Sequence, residues 1–339
     1  MTTSIARHPN VFDAGLPIVD YQHLTDPAQA HACLAEARRQ SPIAIGPFGP
    51  EVLRYDLVHT VLRDPRFAMP RGLGLAEQGI TSGPLWDRAL VNILGLDGEA
   101  HTRLRRLVAK AFSPRAVERL QSLIHAIIGD LVDRLLTNGS GDVVADVSRR
   151  YPTPVICALL GAPAQDWGRI AAWADDLMKI LDWNVVNDEP VITAAWDQLD
   201  AYLDQMVAQR RRNLTDDLIS ELIRTEDEGD RLDHSELLML AAALLMAGTD
   251  TTRNQLAAAV QCLCDHPDQW RLLADRPELI HDAVNELIRF SPVVFATMRA
   301  AVEDVELAGV MIPAGTLVIA NTAAANRDPE VFDCPDRLD

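Results

Sequence analysis

From Asp233 to Cys264 the sequence keeps a helical pattern without a break, about 48 Å of helix at 1.5 Å per residue. It is apolar from Leu237 to Met246, so a helix of this length has to cross the interior of whatever the chain folds into. In its middle stands Ala247-Gly248-Thr249-Asp250-Thr251-Thr252, the poorest helix-forming cluster in an otherwise strong segment, since glycine alone costs about 1 kcal/mol against alanine. Threonine hydroxyls can bond back to the carbonyl four residues earlier and bend or widen the helix. A carboxylate beside a hydroxyl in such a groove makes a short proton relay, while a packing glycine with helix-bending threonines explains the same residues equally well.

Around that helix the chain reads as mostly α with a small β part. Asp26-Pro27 opens a helix that runs to Arg39 before Pro42. Ile43–Ile45 and Val52–Tyr55 read as a hairpin, followed by a short helix over Asp56–Leu62. Arg71–Ile93, rich in glycine and poor in periodic apolar positions, reads as a long irregular loop that faces a substrate. Further helices are expected over Glu99–Phe112, Pro114–Leu136, Arg149–Leu160, Ala164–Leu181, Pro190–Arg212, Thr215–Arg224, Pro267–Ala274 and Pro277–Phe290. The texture then changes, and Met298–Val302, Val305–Leu307, Met311–Ile312 and Leu317–Ala320 read as short strands punctuated by Gly309 and Pro313-Ala314-Gly315. With no repeat, low-complexity tract or linker, all 339 residues are expected to form a single domain.

Composition excludes several classes of function. A formal charge of −18 does not suit a nucleic-acid binder, which needs clustered Lys and Arg on phosphate. Pro9, Asp13 and Pro17 interrupt the N-terminus before any long apolar run, so neither a signal peptide nor a membrane anchor is expected. Five cysteines without framework spacing point to a reducing cytoplasm, and Cys262 and Cys264, on different faces of a helix, do not form a metal site.

The remaining charged residues of interest come in helical pairs. His101 and Arg105, at i and i+4, present two donors in one direction, suited to one dianionic ligand or to a solvated basic face with Arg103, Arg106 and Lys110. Glu286 and Arg289 lie side by side at i and i+3, a pair that by itself proves little. Arg299 opens a strand where another cation can reach an acidic edge.

Taken in order, these pieces resemble the cytochrome P450 family in its soluble bacterial branch, from about Glu99 onward. Asp97-Gly98-Glu99-Ala100-His101-Thr102-Arg103-Leu104-Arg105 resembles the family's third-helix motif, which implies that His101 and Arg105 bind haem propionates. Ala247–Thr252 resembles the distal-helix motif: Asp250 and Thr251 are then the residues that steer protons to dioxygen, Gly248 leaves room for it, and the small Ala247 lies beside the cofactor. Glu286-Leu287-Ile288-Arg289 resembles the structural Glu-x-x-Arg signature. Pro335-Asp336-Arg337-Leu338 resembles the segment that completes its triad, through Arg337, and Ala324–Pro329 the approach to it. Arg299, in Met298–Val305, matches a further propionate-binding arginine.

The resemblance implies a P450-like fold holding haem b, inserting one atom of dioxygen into a small apolar substrate, with electrons from NAD(P)H through a ferredoxin and its reductase. Val293, Val294, Phe295 and Ala243 are then substrate-facing, as is the Leu181–Pro190 connection. One part departs from the pattern. The family's iron ligand is a cysteine in a glycine-rich loop, and neither Cys33, Cys157, Cys262 nor Cys264 lies near that place, while Cys334 stands between Asp333 and Pro335 without the loop's glycine or phenylalanine. The expectation is a chain truncated before its thiolate segment, so that no residue here serves as metal ligand and the 339 residues themselves are inactive or bind haem weakly. An unrelated all-α scaffold leaves the ordered motifs unexplained.

Overall fold

A computed structural model of the chain describes residues 8–111, 114–227 and 232–339, and the side chains of these except at 110, 111, 114–117 and 225–227. Phe112, the expected end of one helix, and the side chain of Lys110 lie outside the described residues. In chain order the helices are α1 (Pro27–Gln40), α2 (Tyr55–Arg63), α3 (Pro84–Val91), α4 (Gly98–Ala111), α5 (Pro114–Asn138), α6 (Pro152–Leu160) and α7 (Trp167–Met178). They continue as α8 (Val185–Arg212), α9 (Leu218–Asp227), α10 (His234–Asp265), α11 (Pro267–Asp275), α12 (Ile280–Phe290) and α13 (Thr322–Ala325). The strands are β1 (Ile43–Gly46), β2 (Gly49–Val52), β3 (Phe67–Ala68), β4 (Thr297–Ala301), β5 (Val305–Leu307), β6 (Val310–Ile312) and β7 (Leu317–Ala320). The fold is mostly helical with small sheets, as the sequence pattern predicts.

The chain forms two compact units, one from the residues up to Pro70 together with Ala258–Asp339, the other Arg71–Ala257. The first holds a five-stranded sheet in the order β1-β2-β7-β4-β3, in which β2 runs parallel to β7 and the other pairs are antiparallel. The β1–β2 hairpin closes tightly, with Gly46 opposite Gly49. Gly49 has φ +136°, and a Cβ there would lie 2.4 Å from the Leu317 carbonyl oxygen, so the approach of β7 requires a glycine. β5 and β6 form a separate hairpin through Ala308 (φ 49°) and Gly309 (φ 82°), the left-handed pair that matches strand twist. Asp26 caps α1 by accepting from the Ala28 N–H at 2.9 Å, with Pro27 in the first turn. Arg38 then ties α1 to the other end of the chain, donating to the carbonyls of Ala324 and Arg327.

The second unit is a helical body. Trp173 and Leu177 of α7, Trp196, Leu199 and Leu203 of α8, Ile219 and Leu222 of α9 and Leu240 and Leu245 of α10 share one buried cluster. Two expectations change here. The 71–93 stretch is not a structureless loop: it carries three-residue to four-residue 3-10 turns and α3, whose Leu85 and Ala89 are buried one turn apart. Arg88 of α3 reaches Asp197 at 2.7 Å and Asp200 at 3.1 Å on α8. Likewise α8 starts at Val185 and contains Pro190, so most of the expected Leu181–Pro190 connection is helix. Pro190 lies inside this helix, in its second turn, where it has no N–H to give the Val186 carbonyl.

Candidate active site

The centre of α10 was the place where sequence alone allowed a bend. The helix is α-helical from His234 to Asp265 without local widening, and among the described residues the π-helical segment is Val144–Ser148. The threonines do bond back: Thr249 Oγ1 donates to the Leu245 and Met246 carbonyls at 3.1 and 3.0 Å, and Thr251 Oγ1 to the Ala247 carbonyl at 3.2 Å. A Cβ on Gly248 would lie 2.8 Å from Cδ1 and Cγ1 of Ile156 on α6. The glycine is therefore explained by close packing of α6 on α10, and the direction its side chain would take is filled rather than open for dioxygen.

Asp250 is held by a cation that sequence reasoning passed over. Its Oδ1 accepts from Arg253 Nη2 at 2.8 Å, Arg253 Nε at 3.1 Å and Asn254 Nδ2 at 3.2 Å. Arg253 also pairs with Asp175 of α7, and although burial works against its charge, the two carboxylates outweigh this and raise its pKa. The i,i+3 spacing of Asp250 and Arg253 was the available signal. Asp250 and Thr251 thus have separate partners: the acid faces a guanidinium, and the exposed Thr251 hydroxyl turns back on its own helix.

On α4, Leu104 and Leu107 are buried in the helical core, and His101 and Arg105 lie 40° apart around the helix by its 3.6-residue period, roughly, on another face. Arg103 is accounted for by an ion pair to Glu236 of α10. The side chains of His101, half-buried, and Arg105, exposed, have no hydrogen-bond or ion-pair partner among the described residues. Two neighbouring donors left without protein acceptors fit the acidic edge of a dicarboxylate group such as haem. Arg299, in the other unit, donates to the Met298 carbonyl at 2.8 Å and lies 3.0 Å from Met69 Sδ.

The Glu286–Arg289 pair on α12 is a two-point fork, with Arg289 Nε and Nη2 each 2.7 Å from a carboxylate oxygen. Arg289 also donates to the carbonyls of Asn326 (2.9 Å), Pro335 (2.8 Å) and Arg337 (3.1 Å). Here the expected triad is corrected. Arg337 joins through its main-chain carbonyl, while its guanidinium pairs with Asp339 at 2.6 Å in an exposed position. A carboxylate two residues away captures it, and Glu286 already has both oxygens engaged. The cation that buttresses this corner is Arg327, which donates to the Phe290 carbonyl at 2.7 Å and lies 4.3 Å from that ring's centroid.

The expected substrate residues separate. Phe295, half-buried, packs against a core cluster of the first unit, its ring 6.2 Å from Tyr21 and 5.1 Å from His31, and its carbonyl accepts from Ala323 N–H and Thr322 Oγ1. Ala243 is buried, Val293 half-buried, and Val294 and Ala247 are exposed.

All five cysteines are free. Burial pushes the Cys157 thiol up to about 12 and raises Cys262 as well, which disfavours the thiolate form in both. Cys334 is exposed, with φ 48°, in a turn between Asp333 and Pro335. The residues present therefore fit the acidic edge of haem on α4 but offer no cysteine in the setting that iron ligation requires.

The sequence profile described as Cytochrome P450 matches residues 169–339. The chain is 41% identical over 299 residues to mycinamicin IV hydroxylase/epoxidase of Micromonospora griseorubida, covering 86% of this chain and 73% of that protein. It is 38% identical over 317 residues to vitamin D(3) 25-hydroxylase of Pseudonocardia autotrophica, covering 91% and 76%. The crystal structure of CalO2 superposes with a TM-score of 0.88 at 32% identity, over 96% of this chain and 82% of that one. With this profile match, and relatives of 38–41% identity covered over about three quarters of their length, the chain belongs to the cytochrome P450 family.

Proposed function

We propose that the chain is a single catalytic domain for monooxygenation of a small apolar molecule, with His101, Arg105 and Arg299 holding the propionates of haem b. Relatives named as hydroxylases and monooxygenases support the reaction class. The observation that carries the cofactor reading is the pair of donors on α4 with no acceptor among the described residues. When bound through a thiolate, haem supplies the oxygen chemistry itself. The chain's own part is to orient the group from α4, to present Ala247 and Thr251 on an exposed face of α10, and to move protons through Asp250 and Thr251 once Arg253 releases the acid. Val293, Val294 and Ala243 would shape the substrate side. Electrons would come from NAD(P)H through a ferredoxin and its reductase, in the cytoplasm; among the described residues no helix is long and apolar enough to cross a membrane.

The placement of the five cysteines favours a second reading for the 339 residues alone: they hold haem weakly and do not oxidise substrate. Haem titration of the protein and of His101→Ala/Arg105→Ala tests the first reading. A drop in affinity of about tenfold or more is expected for loss of two charge-assisted bonds, and equal affinity would sink the propionate assignment. The reduced carbon-monoxide spectrum tests the second: a thiolate-type Soret band from the 339 residues would overturn it and return attention to Cys334.

A further inference from the structure

Glu51 lies on β2 with 0% of its surface exposed, inside the unit that holds the five-stranded sheet. Its side chain folds back across the hairpin so closely that a Cβ on Gly46 would sit 2.0 Å from Oε1. Oε2 accepts two hydrogen bonds, from the Tyr21 hydroxyl at 3.0 Å and Asn321 Nδ2 at 2.9 Å. The same amide group lies 2.9 Å from the Tyr21 oxygen, and Asn321 Oδ1 accepts from the Ala324 N–H at 2.8 Å. Oε1 is buried without a partner among the described residues.

That asymmetry distinguishes the two protonation states. An ionised carboxylate has two equivalent oxygens that each call for donors, and burying it with one oxygen bare and no counter-charge is costly. A neutral acid has one carbonyl oxygen, which suits two donors, and one hydroxyl, which at Oε1 goes unbonded but leaves no buried charge, the smaller of the two costs. The groups acting on Glu51 are Tyr21 and Asn321, with no cation among them. From α1, Cys33 acts on Tyr21, and the buried His31 is neutral near pH 7, its pKa lowered to about 4 by burial and by Arg327. β1 contributes only Ile43, Ala44, Ile45 and Gly46.

We infer that Glu51 is carried as a neutral carboxylic acid, and that its ionisation is a built-in trigger that loosens the N-terminal segment from the sheet. The segment concerned is held by Val19 N–H to the Ile45 carbonyl (2.9 Å), Ile45 N–H to the Pro17 carbonyl (2.8 Å) and the Tyr21–Glu51–Asn321 ring. Burial raises the folded-state value of Glu51 above its ordinary one, the two hydrogen bonds only partly opposing it. A raised value means the folded state holds the proton longer. The stabilisation is complete below the ordinary carboxyl range, about pH 4.3, and is lost as pH rises toward the folded value.

The test compares the urea unfolding of the wild type and Glu51→Gln across pH, with an infrared spectrum of each. Relative to the variant, the wild-type unfolding constant should increase about tenfold per pH unit inside that window. A carboxylic-acid carbonyl band should persist in the folded wild type above the ordinary carboxyl range and be missing in Glu51→Gln. Tyr21→Phe, which removes a donor from the ionised form, should move the wild-type loss to higher pH. Parallel pH curves for wild type and Glu51→Gln, absence of the acid band, or an unmoved transition in Tyr21→Phe would each overturn the inference.

Discussion

Gly248→Ala sets two forces of similar size against each other, and the structure says which should win. Alanine in a helix interior is favoured over glycine by about 1 kcal/mol. Against this, the new Cβ would lie 2.8 Å from Cγ1 and Cδ1 of Ile156 and 3.2 Å from its Cβ, with Ile156 only 6% exposed. The Cβ of Ile156 is fixed by the backbone of α6, and Cγ1 can move only by leaving the one χ1 rotamer that a β-branched side chain strongly prefers in a helix, so overpacking should cost about 2–3 kcal/mol. The net expectation is a loss of about 1–2 kcal/mol. Ile156→Ala removes both atoms at 2.8 Å; by itself it should cost about 2–5 kcal/mol through the cavity it leaves. In that background Gly248→Ala should turn stabilising by up to about 1 kcal/mol, because only the Cβ of residue 156, at 3.2 Å, still opposes the helix preference. Urea unfolding of the four proteins gives the coupling directly, and about 2–3 kcal/mol is expected between the sites. Additivity within about 0.5 kcal/mol would refute the packing explanation of this glycine.

Arg289→Lys should cost about 3 kcal/mol in thermal unfolding, since lysine cannot reproduce a fork to Glu286 together with bonds to three carbonyls; a loss below about 1 kcal/mol would contradict that role. Asp217 makes the opposite pH prediction from Glu51. Burial raises its pKa, but the Thr215 hydroxyl, the Ser220 N–H and Arg210 more than reverse this, and the folded value is depressed. Its stabilisation is therefore present above about pH 3.9 and lost as pH falls through the folded value, so the stability gap between wild type and Asp217→Asn should narrow only on acidification.

What could be read from the sequence follows from how local each feature is. The long helix was placed to within one residue at each end, and the four strands after Phe290 were found because Gly309 and Pro313-Ala314-Gly315 mark their turns. The pairs on α4 and α12 were legible because helix geometry alone makes i,i+3 and i,i+4 residues neighbours. α3 was hidden because its burial rests on only Leu85 and Ala89, set among glycines that suggest a loop. Arg337 was misread because a main-chain carbonyl can do what its side chain was expected to do. Phe295 was drawn toward the substrate by its place after Pro292, whereas contacts with Tyr21 and His31, hundreds of residues away, decide its position. Glu51 looks like an ordinary surface acid in a hairpin, and only the tertiary fold closes over it.

The fit of the Glu51 carboxyl group into the space above Gly46 also has a consequence for descent. Neither residue can change freely while the other stays: a side chain at 46 collides with the acid, and a shorter residue at 51 leaves Tyr21 and Asn321 without their acceptor. The two positions should be inherited as one character. A lineage that abandons the acid becomes free to replace the glycine, and the order of those two steps is fixed, acid first.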